Sequence, residues 1–354
     1  MSKTQPSQPS LFGTTISSAE VPLAELAHGQ EADFYALLVS KEELTTKDGK
    51  PYFRVSFRDA GREVSFPIWG DTAWAGACRD EWTTGEFYKL RAQYRDTSYG
   101  PQLEIRKIRP VTDEDFTEGF DPAMCLPRAR FDPQEMFDEL VGLGSEAIAD
   151  QQLSAFVLAI FEKYQPALLT LPAAKYNHHA QVGGFLEHVL SVTRTCVYLA
   201  EKYDALYPEM RPPLHKSLVI AGAMLHDIGK LRELKETPTG AEYTASGSLV
   251  GHILQGRDII REMATERPID AETLLRLEHI IVAHQRLPEW GSPKPPMTPE
   301  AMIVHYADDL DAKLQMMATA LAEDNTDGAF TSNRNPIRER IFRGGREEST
   351  SSDP

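Results

Sequence analysis

The stretch "AMLHDIGKLREL" (Ala223–Leu234) ends an apolar run, "LVIAGAML" (218–225), on a histidine and an aspartate side by side. An ionised aspartate that closes an apolar helix is costly unless it is paired, hydrogen-bonded or bound to metal. Neighbouring side chains on a regular helix project about 100° apart, so His226 and Asp227 converge only where the helix ends. Gly229 is expected to let the chain turn there. Lys230 is then placed to reach an anion beside a bound metal.

The surrounding sequence repeats the pattern. Nine of the ten histidines lie between His178 and His305, and only His28 lies outside. His188 sits in "GFLEHVLSV", His252 in "LVGHIL", His279 and His284 in "RLEHIIVAHQ", and Asp308 and Asp311 in "HYADDLDAK". Each segment carries apolar residues at spacings of three and four, the signature of an amphipathic helix. A lone histidine on such a helix is usually a surface or satisfied core residue, and His215 and His28 read that way. Five helices that each place a histidine or aspartate among inward-facing apolar residues instead suggest a nitrogen- and oxygen-rich cage for a transition metal. Asp132-Pro133, Asp270 and Thr298 are helix-start signals, and residues 132–343 read as an all-α domain.

Residues 11–110 differ in texture. "ADFYALLVSKEEL" and "PYFRVSFRD" flank "TTKDGK", where Asp48-Gly49 invites a hairpin. "REVSFPIWG", "EFYKLRAQYRD" and "QLEIRKIRP" supply three more short strands. Five strands with tight turns suit a small closed barrel of the OB type, so the fold class is α+β with two domains. Arg91, Arg95 and Arg106 fall on the last two strands with Lys89, Lys107 and Arg109. Tyr94 interleaves with Tyr88 and Tyr99, and Tyr52, Phe53, Phe57 and Trp69 lie earlier. A basic track with stacking aromatics is how such barrels bind single strands. Residues 111–131 are acidic, proline-bearing and aperiodic, and read as a linker. Residues 1–10 and 344–354 read as disordered.

The net charge of −16 is unexpected for a nucleic-acid binder. It is unevenly spread, because residues 11–110 carry 13 Lys+Arg against 15 Asp+Glu, a net of −2. Three cysteines with no close pair argue against a disulfide framework and fit a reducing cytoplasm. No apolar run reaches membrane-spanning length. No serine- or cysteine-centred triad and no phosphate-cradling P-loop is visible.

His188, then His226-Asp227, then Asp308 resembles the H…HD…D signature of the HD phosphohydrolase superfamily. More closely, "YNHHAQVGGFLEH", "HDIGK", "EWGSP" and "HYADDLDAK", in that order behind an OB-like region, resemble the YhaM family of 3'→5' exoribonucleases. The resemblance covers nearly the whole chain and implies that His188, His226, Asp227 and Asp308 hold a principal metal, with His252 and His284 as ligands of a second; His279 is the substitute for His284. It implies one or two divalent transition-metal ions, Mn2+ first, with Fe2+ or Co2+ as alternatives. Where the family has two histidines this chain has His284-Gln285. Lys230 resembles a phosphate-contacting lysine, His178 and His179 become candidates for substrate phosphates, and Asp311 and His305 for orienting ligands. The implied activity is hydrolysis of single-stranded RNA from its 3' end to nucleoside monophosphates. Asp227 and Lys230 are then central to the chemistry, and Arg91, Tyr94, Arg95 and Arg106 feed the strand. DNA as a second substrate and self-association stay open, and no membrane partner is expected. The rival readings are a phosphohydrolase of free or cyclic nucleotides and a non-catalytic single-strand binder.

Overall fold

The computed structural model describes residues 20–97, 100–126, 130–173, 183–237, 240–324, 326 and 328–344. The tail expectations for 1–10 and for 345 onward lie outside these residues. The chain divides into two compact units, Met1–Cys125 and Leu126–Pro354.

In the first unit, β1 (Glu31–Thr45), β2 (Pro51–Arg58) and β3 (Glu63–Trp69) precede a short helix α1 (Ala75–Asp80), followed by β4 (Phe87–Thr97) and β5 (Gly100–Pro110). The strands are antiparallel in the order β3-β2-β1-β4-β5, and β5 returns to the vicinity of β3. That order, with a helix between β3 and β4, is the OB arrangement. Long β1 serves both halves of the sheet: Glu31–Leu37 pair with β4 and Leu37–Thr45 with β2. A register slip between Leu38 and Ser40 lets the strand bend from one half to the other. Alternation places Tyr88, Leu90, Ala92 and Tyr94 of β4 inside, with Phe34, Phe53, Val55, Phe57 and Phe66. The Asp48-Gly49 hairpin forms as expected, with Gly49 at φ 79°.

Residues 111–125 correct the linker reading. They pack on the barrel through α2 (Asp113–Thr117), whose Thr112 and Asp115 form a capping box. Buried Asp115 also accepts two bonds from the Arg109 guanidinium, at 2.6 and 2.7 Å, and one from the Tyr35 hydroxyl. These hold its carboxyl well below the usual carboxylate range, Arg109 foremost. Phe120 packs on Tyr35 and Phe87, and Cys125 is fully buried. The acidity that looked solvated is taken up by a cap and an ion pair.

The second unit carries α3 (Pro133–Ala147), α4 (Gln151–Leu168), α5 (Gly184–Leu206), α6 (Lys216–Leu225) and α7 (Lys230–Glu233). A hairpin of two four-residue strands, β6 (Leu234–Thr237) and β7 (Gly240–Tyr243), interrupts the helices; its strands are too short to leave a period in the sequence. Then come α8 (Ala245–Val250), α9 (His252–Glu266), α10 (Ala271–Ala283) and α11 (Pro299–Glu323). "GSLVGHILQG" is not one helix, because Gly251, at φ 78°, breaks α8 from α9 and makes His252 the first residue of the latter. Asp132, Asp270 and Thr298 cap their helices through their side chains. Helix α6 is buried along nearly its whole length among α3, α4, α5, α10 and α11, so its end points into the core. Among the described residues no helix is long and apolar enough to cross a membrane.

Two glycines of α3 give opposite expectations. A Cβ on Gly142 meets nothing, whereas one on Gly144 would lie 2.9 Å from the Met224 methyl and 3.1 Å from Leu158. Gly142→Ala should therefore stabilise by about 0.5–1 kcal/mol through helix propensity. Gly144→Ala should lose about 1–3 kcal/mol through overpacking. Chemical denaturation of the two variants checks the pair.

Candidate metal centre

At the end of α6, His226 keeps helical dihedrals, and Lys230 N donates to the Asp227 carbonyl as the chain turns into α7. Gly229 is not there for a turn, since its φ of −67° suits any residue. It is there for space. A Cβ would lie 1.9 Å from the His252 carbonyl oxygen and 2.4 Å from Gly256 N. The glycine lets the first turn of α9 lie directly against the HDIGK backbone, which brings His252 to Asp227.

The structure gathers His188 from α5, His226-Asp227 from the end of α6, His252 from α9, His284 from the end of α10 and Asp308 from α11. All are buried or nearly so. Two ligand-like groups share Asp227. His188 Nε2 lies 3.2 Å from His226 Nε2, 3.2 Å from Asp308 Oδ1 and 3.6 Å from Asp227 Oδ2. On the other side, Asp227 Oδ1 lies 3.3 Å from His252 Nε2 and 3.5 Å from His284 Nε2. Donors held about 2.0–2.2 Å from one ion are separated by roughly these distances.

Each histidine is oriented by its far nitrogen. His188 Nδ1 meets Asp311 Oδ2 at 2.8 Å, and His252 Nδ1 meets Glu233 Oε1 at 3.0 Å. His226 and His284 use backbone carbonyls, Ala223 and Ile281, each at 2.8 Å. With the proton on Nδ1, every Nε2 lone pair faces inward, as a metal requires. Among the described residues Asp227 Oδ1 and His284 Nε2 are buried without a hydrogen-bond partner, and a polar atom is seldom left so in a protein interior. The donor set and these two orphaned atoms fit divalent ions.

Surroundings separate two histidines that are equally buried. Burial opposes the charge on His188, but Asp308 and Asp311 outweigh it and push its pKa up to about 9. Burial dominates at His226 and lowers it to about 4. For Asp227, burial is overcome by Lys230 and the neighbouring histidines, which hold it well below the carboxylate range. The Lys230 ammonium sits 2.5 Å from Asp227 Oδ2 and is itself nearly buried.

The remaining candidates divide. Asp311 reaches His188 and also accepts from the Ser191 hydroxyl, and His305 Nδ1 meets the His284 carbonyl at 2.7 Å. His279 stays outside the cluster, its Nε2 accepting from Met297 N. His178 and His179 lie outside the described residues. Glu233 and Ser191 were not anticipated; Glu233 lies six residues beyond Asp227, at the end of α7.

On the barrel the basic track is largely neutralised. Arg91 makes a two-pronged pair with Asp33, Arg95 pairs with Glu104, and Arg106 with Glu31 and Glu104. Tyr94 is corrected outright. It points into the core beneath the Arg62 guanidinium, 4.5 Å from its ring centroid, and offers no face for a base. The aromatic pair that does face outward is Tyr52 with half-exposed Trp69, 5.0 Å apart across β2 and β3. Arg54 shares that face, and Lys47 and Lys50 lie at the hairpin tip; none of the three has an ion pair among the described residues.

The HD domain family model matches residues 185–313. A second model, of a helicase family by its description, matches 128–236. The curated protein 3'-5' exoribonuclease YhaM of Bacillus licheniformis is 33% identical over 316 residues, covering 89% of this chain and 92% of that protein. The proteins of the same name from Oceanobacillus iheyensis and Bacillus subtilis are 33% and 31% identical, covering 94% and 95% of their own lengths. Among solved structures, the second OB-fold domain of replication protein A from Methanococcus maripaludis aligns at 16% identity and a TM-score of 0.21, over 27% of this chain and 97% of that one. The barrel assignment rests instead on strand order and register.

Asp311→Ala should leave the ligands in place and free the His188 ring. Loss of such a partner typically costs 10–100-fold in metal affinity. Titration of the chelator-stripped protein with Mn2+ should show that weakening; an unchanged dissociation constant would remove Asp311 from the site.

Proposed function

The chain belongs to the YhaM family of 3'-5' exoribonucleases, and from that premise we propose that it hydrolyses single-stranded RNA from the 3' end to nucleoside monophosphates, with Mn2+ as the working ion. The observation that carries the reading is the buried, doubly shared Asp227 carboxylate amid inward-facing imidazole nitrogens. A divalent ion bound there supplies Lewis acidity toward water and phosphoryl oxygens.

The chain's own groups do the rest. His188, His226, Asp227 and Asp308 would hold the principal ion, and His252 and His284 would face a second across Asp227. Lys230 holds Asp227 in place and brings a fixed positive charge to within reach of a phosphoryl oxygen. Such positioned charge is the main currency of phosphoryl transfer.

The strand is taken up on the barrel at Tyr52 and Trp69, with Lys47, Lys50 and Arg54 beside them. OB barrels bind single strands on the strand 2–3 face and the loop between strands 1 and 2. Arg91, Arg95 and Arg106 have a smaller part, since each already neutralises an acid. The family premise favours RNA.

Asp227→Asn keeps the shape but removes the shared charge, so hydrolysis of a 3'-labelled oligoribonucleotide should fall at least about 1,000-fold. Binding to the same oligonucleotide should persist. Near-normal turnover in this variant would end the metal-centre reading.

The barrel assignment has its own check. Trp69→Ala should cost about 1–3 kcal/mol of RNA binding if its ring stacks on a base. Reversing charge at Lys47, Lys50 and Arg54 should flatten the salt dependence of binding more than reversal at Arg91, Arg95 and Arg106, because unpaired cations release more counterions. The opposite ranking in a fluorescence-anisotropy salt series would return the binding track to the last two strands.

A further inference from the structure

We infer that Gln285 is a built-in cap on the second ion position, and that it holds that position to weaker, exchangeable occupancy while the first is filled tightly. The inference rests on reading the Asp227 cage as a metal centre. It starts from one contact: the Gln285 amide nitrogen Nε2 lies 3.3 Å from His252 Nε2.

The tautomer decides what that contact is. His252 Nδ1 faces the Glu233 carboxylate at 3.0 Å, an acceptor-only group to which Nδ1–H donates. His252 Nε2 then carries a lone pair, and only a donor suits it. The amide NH2 group of Gln285 is that donor. The lone pair it occupies is the one His252 would give to an ion beside Asp227 Oδ1, 3.3 Å away.

The first position is built differently. There, His188 and His226 turn their Nε2 atoms toward each other, Asp308 and Asp227. On the second side, Asp227 Oδ1 and His284 Nε2 are left bare, and only His252 is engaged. An ion entering beside them must break the amide–imidazole bond before it can have its third protein ligand.

The glutamine is held for this task by its backbone. Its N–H donates to the Ser292 hydroxyl at 3.1 Å, and its carbonyl accepts from Leu287 N at 2.7 Å. Arg286 between them is in the left-handed region at φ 64°, which closes a tight turn directly after α10. The side chain therefore leaves a fixed point next to His284 and reaches His252 across the mouth of the second position.

The test uses the full chain, stripped with chelator and titrated with Mn2+. Free ion is counted from its electron paramagnetic resonance signal, and heats are recorded in parallel. The wild type should bind one ion tightly and a second more weakly. Gln285→Ala and Gln285→Leu both remove the donor, and Leu keeps much of the bulk. Each should tighten the second ion by about five-fold, the equivalent of one ordinary hydrogen bond, and leave the first unchanged. His252→Ala should abolish the second event and keep the first.

Equal second-ion affinity in wild type and both variants overturns the cap. A weaker second ion in the variants also overturns it, since Gln285 would then be a ligand through its oxygen. A second event that survives His252→Ala places that ion elsewhere and overturns the assignment. Failure of the wild type to bind any ion tightly overturns the metal centre itself, and with it this inference.

Discussion

Asp227 is a carboxylate with almost no access to water, and the helical unit is arranged around the need to satisfy it. Isolated burial of such a charge is prohibitive. Lys230 satisfies one oxygen, and the other is surrounded by imidazoles whose outer nitrogens are tied down by Glu233 and the Ile281 carbonyl. The outer contacts matter as much as the inner ones, because a ring free to rotate could present a proton instead of a lone pair. Gly229 belongs to the same constraint: with any side chain there, α9 would be pushed off the motif and His252 would leave the cage.

The barrel solves a different electrostatic problem. Residues 11–110 carry a net charge of only −2, from 13 Lys+Arg against 15 Asp+Glu, and several of the cations are held in specific pairs. Arg91 with Asp33 and Arg109 with Asp115 fix strand register and dock the α2 segment, so they are structural charges. Besides their structural part, these pairs remove cations from the pool that can meet a phosphate. Lys47, Lys50 and Arg54, on and beside the β1–β2 hairpin, carry no ion pair among the described residues and lie near the Tyr52–Trp69 pair.

The sequence made the principal features of the cage readable because an aspartate or histidine inside an apolar helical period has few inexpensive explanations. His188, His226, Asp227, His252, His284 and Asp308 all met that criterion, and the structure brings them together. The barrel was readable from its turns and alternation. Tyr94 was misread because its closeness in sequence to Arg91 and Arg95 was given more weight than the alternation, which sets it with Leu90 and Ala92 on the buried face and the two arginines on the other. The α2 segment was missed because its acids serve as a cap and an ion-pair partner, roles with no period. Gly229 was assigned the wrong reason because a long-range backbone approach leaves no local mark. Glu233 was legible only after Gly251 had broken α8 from α9 and turned His252 back toward it.

The two sides of Asp227 differ in what they face. Oδ2 faces His226 and His188 and shares Lys230, so positive charge is already fixed beside it. Oδ1 faces the imidazoles of His252 and His284 and has no hydrogen bond of its own among the described residues. An ion on that side relieves a bare carboxylate oxygen and a bare imidazole together, which makes binding favourable despite the glutamine in its way.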